Sequence, residues 1–375
     1  MTRREKGNAR YTMQLGRSEL ERYLEERSGK TVQIKDVRQL GGAVTGAAAL
    51  KQFGYGRPLL VDYQAGDQEV QVVFHRIRRN AFGRERDDDR VAAVWLDFNT
   101  FNRLPYHVPA LDMVIYTREG TLESIKSGQE VLLVTAYRSG RVYADDLMRI
   151  RDEDTIRPLD TRRVDMLATC LAEIHQVKHE EPMLWRRRLR DLVGHGEGIM
   201  GLTDSYPKDV RYVSESELRD IEEMANRWRW RLKPLSHRLS RVHGDFHPFN
   251  VLFEEEVALH LLDRSRGEWG DPADDVSCMS INYLFFSLQR SGRLEGTFRK
   301  LHDRFWDRYL TLRPDKELAT VIQPWFAWRA LVLASPIWYP NISEDLRRKL
   351  LTFARRVMSS DSYDYRRVNQ YIETG

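Results

Sequence analysis

Residues 242–253 read VHGDFHPFNVLF, and a second polar run, LLDRSRGEWGDPADD, follows at 261–275. A tight hairpin needs only one or two turn residues. This connection carries two histidines, an aspartate, a proline and an asparagine between apolar stretches. Such side chains suit a metal site, a catalytic loop or an elaborate turn. His243 and His247 have the i, i+4 spacing of a helical zinc pair, but Gly244 and Pro248 oppose a helix and no third zinc-type ligand lies nearby. Hard-oxygen chemistry fits better, because Mg2+ takes one or two carboxylates or amide oxygens together with substrate phosphates. Asn250 offers the amide oxygen and Asp263 the carboxylate. Asp245, five residues before Asn250, is left to accept a proton from a hydroxyl nucleophile.

These residues need a scaffold. VLF (251–253) and LHLLD (259–263) read as two strands joined across 254–257, a hairpin that brings Asn250 to Asp263. Further upstream, the Ser18/Glu21 spacing predicts a capped helix to about residue 27. Strand patterns follow in VQIKDVRQL, PLLVDYQAG and EVQVVFHRI. A helix is expected over 88–102, with Val91, Val94, Trp95, Phe98 and Phe101 on one face, and then strands in MVIYTREG and EVLLVTAY. From Tyr143 onward the patterns are helical: 167–175, 214–232 with a Ser214/Glu217 capping box, 274–289, 294–312 and 319–333. The expectation is an α+β chain with a β-rich lobe (1–137), a connector (138–142) and a mainly helical lobe (143–375).

His243-Gly244-Asp245 followed by Asn250, and an apolar strand ending in Asp263, resembles the catalytic and metal loops of the aminoglycoside phosphotransferase–choline kinase superfamily. Trp269-Gly270-Asp271-Pro272 and the helix start at Asp275 extend that resemblance over 242–276. It implies a bilobal protein-kinase-like fold and transfer of the γ-phosphoryl group of ATP, or GTP, to a hydroxyl of a small acceptor. By the same resemblance Asp245 is the catalytic base, and Asn250 and Asp263 hold Mg2+ against the phosphates. His243 braces the loop, and Asp275 ties the next helix to the loop backbone.

Three features depart from the family pattern. After the metal aspartate the chain reads Asp263-Arg264-Ser265-Arg266, where relatives commonly place an aromatic and an acid. The two arginines could assist phosphates or pair with Asp263; the second outcome would leave a catalytically silent kinase-like binding protein. The third strand lacks the expected lysine, and His75 and Arg76 occupy the region on opposite faces. Asp97, ahead of Asp89, is the matching helix acid. A glycine-rich turn, Gly41-Gly42-Ala43-Val44-Thr45-Gly46, is placed to cover phosphates through its backbone amides, with Gly41, Gly42 and Thr45 as contacts.

Acceptor contacts are expected from the helical lobe: Asp271, Asn282, Tyr283 and Trp328, with Trp325, Trp338, Tyr339, Asp274 and Glu268 near them. His195 and Glu197, in LVGHGEGIMGL, could reach a ligand as a polar pair but read first as turn residues. An aminoglycoside, a sugar or an amino alcohol fits the reading equally. Sixty basic against 56 acidic residues leave a charge of +4, too small and too well mixed for nucleic acid to be the expected partner. Arg186, Arg187, Arg188 and Arg190 read as a solvated helix face. No stretch reaches the ~18 apolar residues of a membrane helix. Residues 1–14 lack the apolar core of a signal peptide. With only Cys170 and Cys278, neither in a metal-spaced cluster, a cytoplasmic protein is expected.

Overall fold

The computed structural model describes residues 16–40, 58–78, 87–117, 119–125, 130–264 and 266–373. The N-terminal part is built on a six-stranded antiparallel sheet. Its strands are β1 (Val32–Gln39), β2 (Leu59–Ala65), β3 (Gln68–Arg76), β4 (Ala110–Tyr116), β5 (Leu122–Ser124) and β6 (Glu130–Ala136), in the order β1-β2-β3-β6-β4-β5. One face packs Ile34, Tyr63, Phe74, Val114 and Val134 against Leu20, Tyr23 and Leu24 of helix α1 (Arg17–Ser28). The other face packs Met113, Ile115 and Leu133 against Val94 and Phe101 of helix α2 (Asp87–Phe101). Two helices on opposite faces explain why the central strands alternate between two apolar sets.

The Ser18/Glu21 capping box is not made: the N-cap is Gly16, two residues earlier, without a side-chain cap. Glu21 instead accepts from the backbone amide of Ile34, and Glu25 from that of Val32, so the acids fasten α1 to β1.

The C-terminal part is helical apart from short strands: β7 (Arg141–Val142), β8 (Ser240–Arg241), β9 (Val251–Phe253), β10 (Leu259–Leu261) and β11 (Trp269–Gly270). Its helices are α3 (Tyr143–Glu153), α4 (Pro158–His175), α5 (Pro182–Gly194), α6 (Ile199–Thr203), α7 (Glu215–Leu232), α8 (Pro272–Ser291), α9 (Gly296–Leu312), α10 (Leu318–Val321), α11 (Gln323–Ala334) and α12 (Glu344–Met358). The Ser214/Glu217 capping box at α7 is formed in both directions. The single helix expected over 319–333 is two, α10 and α11, because Pro324 cannot continue the preceding helix but suits the first turn of a new one. Helix α8 is the axis of this lobe: every residue from Pro272 to Leu288 is buried, against α3, α4, α9 and α11. The architecture is the bilobal, protein-kinase-like α+β fold, a sheet-based lobe followed by a helical lobe. Among the described residues no helix is long and apolar enough to cross a membrane.

Candidate active site

The loop between β8 and β9 is held by its backbone. Gly244 adopts φ +88°, a left-handed conformation open to glycine, and a Cβ there would lie 3.3 Å from Cβ of Arg266. Asp275, in the first turn of α8, accepts from the amides of His243 (2.7 Å) and Gly244 (2.8 Å). A third donor, His175 Nε2, lies 3.0 Å from the same carboxylate, and Tyr309 orients the far side of that ring. These bonds hold the Asp275 carboxyl below the usual carboxylate range despite burial. His243 is fully buried, and its Nδ1 accepts from the Asp245 amide; burial lowers this imidazole to about 4, so it is a neutral brace.

Asn250 ends a single 3-10 turn, Pro248–Asn250, that His247 caps by accepting from the Phe249 amide. Its Nδ2 donates to the Asp245 carbonyl at 3.1 Å, which leaves the amide oxygen as its acceptor group. Strands β9 and β10 pair Val251 with Leu261, and the Leu262 amide donates to the Asn250 carbonyl. The hairpin therefore sets Asn250 one register step from Asp263. Asp263 has φ +53°, uncommon for a non-glycine residue and frequent at functional sites. An amide oxygen and a carboxylate so placed fit the hard-oxygen preference of Mg2+. Among the described residues no group of three His, Cys, Asp or Glu is arranged to hold a metal.

The two arginines after Asp263 have separate tasks. Arg264 is completely buried and donates to the carbonyls of Val242 (2.9 Å) and Thr100 (3.3 Å), joining the start of the β8–β9 loop to the end of α2. Arg266 turns to Asp245, with Nη1 3.0 Å from Oδ1 and 3.1 Å from the Gly244 carbonyl. A third arginine, unanticipated from sequence, meets the same carboxylate: Arg329 of α11 donates to Asp245 Oδ1 (2.7 Å), to the Gly244 carbonyl (3.0 Å) and to Asp274 (2.5 Å). Both guanidiniums lie over the ring of Trp328, at 4.9 Å and 3.9 Å from its centroid. One signal was legible: Arg329 is the lone charge in QPWFAWRALVLA, and a charge in a buried helix requires a partner.

Asp245 opens onto a cavity of about 90 Å3, walled by Cys278, Ile281, Asn282, Leu333, Trp338 and Tyr339. Asn282 donates to the Cys278 carbonyl, while its buried Oδ1 has no hydrogen-bond partner among the described residues. A second cavity, of about 280 Å3, lies between α2, α5 and α11; Trp328, Arg188 and His195 line it, and Glu197 and Arg266 border both cavities. Glu197 is a wall of the site rather than a plain turn residue. Its backbone carbonyl accepts from Trp328 Nε1, and burial raises its carboxyl to about 7. Arg188 also departs from the solvated face expected of it, donating inward to the Arg266 carbonyl.

Another expected acceptor contact is corrected. Tyr283 is core: fully buried, its hydroxyl meets that of Tyr143. Asp271 lines the second cavity, and its carboxylate is also bound bidentately by Arg238 (2.8 and 2.9 Å) and caps α8 at the Ala273 amide. In the sheet, His75 hydrogen-bonds Thr135 Oγ1, and burial lowers its ring to about 4, so it does not supply the cation a phosphate contact needs. Arg76 follows on the opposite face of β3, on the side of Val72 and Phe74 that packs under α1. Asp97 is buried on α2. Gly41, Gly42 and Thr45 lie outside the described residues.

The phosphotransferase enzyme family is matched over residues 131–314, a stretch that contains the whole loop and hairpin just described. This stretch therefore matches a family of the kind that the motifs in residues 242–276 resemble. Among solved structures, an amicoumacin kinase in complex with AMP-PNP, Ca2+ and Ami is similar at 13% identity, over 92% of this chain and 96% of that one, with a TM-score of 0.52. A thermostable mutant of an aminoglycoside phosphotransferase, in ternary complex with ADP and hygromycin B, is similar at 13% identity, over 91% of this chain and 98% of that one, with a TM-score of 0.51. These likenesses concern the fold. A comparison with curated protein sequences finds no match.

Two predictions concern the loop glycine and the buried Glu197. Gly244→Ala is expected to lower the unfolding free energy by about 1–2 kcal/mol, the cost of a left-handed residue with a Cβ, and to slow turnover by displacing Asp245; an unchanged urea midpoint would contradict this. The second concerns pH. A carboxyl raised from its ordinary value to about 7 keeps its proton in the folded chain after the unfolded chain has lost it. Glu197 therefore contributes stability at low pH that is lost as pH rises through about 7. Relative to Glu197→Gln, the wild-type protein is expected to lose about 1–3 kcal/mol between pH 4.5 and 7.5. Urea titrations of both proteins across that range check the slope.

Proposed function

We propose that this chain is a Mg2+-dependent small-molecule kinase that moves the γ-phosphoryl group of ATP, or GTP, to an acceptor hydroxyl. The observation that carries the reading is the Asp245 carboxylate at the wall of a pocket, with Asn250 and Asp263 beside it on one hairpin. The two similar structures in complex with AMP-PNP and with ADP support the nucleotide part. In this reading the nucleotide lies between the sheet lobe (1–137) and the helical lobe (143–375), and Gly41, Gly42 and Thr45 are the proposed phosphate contacts.

Asp245 orients the acceptor hydroxyl and takes its proton as the new oxygen–phosphorus bond forms and the bond to the departing ADP breaks. Asn282 Oδ1 is placed to accept from a second acceptor hydroxyl. Asp275 and His243 keep the loop backbone fixed, so that little reorganisation accompanies the step. Asn250 and Asp263 would hold the Mg2+, whose contribution when bound is to neutralise charge on the phosphates. Two buried free thiols, Cys170 and Cys278, accord with a reducing compartment, and the cytoplasm is the proposed location.

A second reading has an observation of its own. Because two guanidiniums already hold Asp245, a silent nucleotide-binding protein is the rival. Release of ADP and GDP, followed over a panel of hydroxylated acceptors with and without Mg2+, separates the two. Acceptor-dependent, Mg2+-dependent release is expected; nucleotide binding with no release for any acceptor would favour the rival.

A further inference from the structure

The arginines around Asp245 carry information about the acceptor. Arg266 spends Nη1 on Asp245 and the Gly244 carbonyl, while its buried Nε has no hydrogen-bond partner among the described residues. The nearest carboxyl to that Nε in an ion pair is Glu197, at 3.9 Å, too far for a hydrogen bond. Burial raises Glu197 to about 7, which makes it a weak neutraliser near physiological pH. Arg266 borders both cavities, Arg329 lines the one at Asp245, and Arg188 lines the other. Asp274 is engaged by Arg329 from behind. Carboxylates line both cavities too, but Asp191 is paired with Arg187, Asp271 with Arg238, and Asp245 and Asp274 with Arg329, and Asp263 is assigned to the metal. The Nε edge of Arg266 is left as a cationic group without a hydrogen bond among the described residues. A cavity of about 90 Å3 also falls well below the ~300–1,000 Å3 of drug-sized sites.

Resting on the kinase reading above, we infer that the acceptor is a small hydroxylated compound bearing an oxyanion, a carboxylate or a phosphate, which docks on Arg266 between the two cavities. The hydroxyl reaches Asp245 and Asn282, and the anion takes the Nε side of the guanidinium, whose planar fork suits bidentate oxyanions. Arg266 is thus a specificity-determining residue.

The test uses the full chain and two matched sets: glycerol, D-glycerate and sn-glycerol 3-phosphate; sorbitol, D-gluconate and sorbitol 6-phosphate; choline is the cationic control. Binding is read by calorimetry in the presence of a non-hydrolysable ATP analogue, and transfer is read separately by ADP release. In at least one set an anionic member is expected to bind about 10- to 100-fold more tightly than its neutral partner. Whether the carboxylate or the phosphate leads tells which oxyanion the site reads. Arg266→Gln is expected to erase the preference, and Arg266→Lys, which keeps the charge without the fork, to retain part of it. The wild-type comparison decides even if these variants fold poorly.

Neutral partners or choline binding as tightly as the anions, or no binding by any anion at millimolar concentration, overturns the inference. So does an Arg266→Gln effect confined to ATP affinity and equal for all acceptors, which would assign the arginine to the γ-phosphate. The two levels fail differently. Anion binding without ADP release would sink the kinase reading alone; phosphoryl transfer to neutral or cationic acceptors only would sink the anion inference alone.

Discussion

Asp245→Asn is expected to lower acceptor-dependent turnover by about 10²–10⁴-fold, the usual span for a positioned general base, while nucleotide affinity changes by less than about tenfold. The substitution keeps the shape of the side chain and its place beside Arg266 and Arg329, but it removes the carboxylate that would receive the hydroxyl proton. A thousandfold loss corresponds to about 4 kcal/mol of transition-state stabilisation. Asn is preferable to Ala because Ala would leave two buried guanidiniums facing an empty space, and instability would be confounded with lost chemistry. Single-turnover kinetics at saturating nucleotide separate the two. A variant that folds, binds nucleotide and transfers at the wild-type rate would remove Asp245 from the chemistry.

Arg329→Met carries the largest expected cost in stability, about 3–5 kcal/mol, as for other buried ion pairs broken from one side. Folded proteins have only ~5–15 kcal/mol in hand. The cause is specific. Arg329 lies between Asp245 and Asp274 and also bonds the Gly244 carbonyl, so its removal takes the arginine from buried Asp274 and leaves Asp245 and the Gly244 carbonyl to Arg266 alone. Asp274 is already raised to about 6 by burial, even with the arginine present. Combining Arg329→Met with Asp274→Asn is therefore expected to cost less than the sum of the two single changes, since the second removes a charge the first leaves unpaired. Urea denaturation of the four proteins measures the coupling. A change below about 1 kcal/mol in Arg329→Met would show that the cluster is not held by this residue.

Much of the site was legible in sequence because the chemistry demands particular side chains at close spacing. Asp245, Asn250, Asp263 and Asp275 could be singled out from residues 242–276, and the β9–β10 hairpin followed from two short apolar runs around a polar turn. Residues distant along the chain were not legible. Arg329 joins the site from 84 positions beyond Asp245, and nothing in its own helix says which carboxylate it meets. Glu197 reads as turn material because its Gly-rich surroundings hide that the turn is packed beneath Trp328. The opposite error arose with Tyr283: a polar group near the motif looks like a ligand until the structure shows Tyr143 already satisfying it. The same holds for the pair after Asp263. Sequence supplies two arginines, but only packing sends Arg264 to the backbone of Val242 and Thr100 and Arg266 to Asp245.

The account depends most directly on where the γ-phosphoryl group goes. The measurement is to incubate the protein with Mg2+, ATP labelled in its γ-phosphoryl group and a pool of small hydroxylated compounds, and to identify labelled products by mass spectrometry. The predicted result is label on one acceptor class through an oxygen–phosphorus bond, present with the wild-type chain and absent with Asp245→Asn. Label appearing only as inorganic phosphate, or remaining wholly in bound ATP across the pool, would contradict the assignment of this chain as a small-molecule kinase.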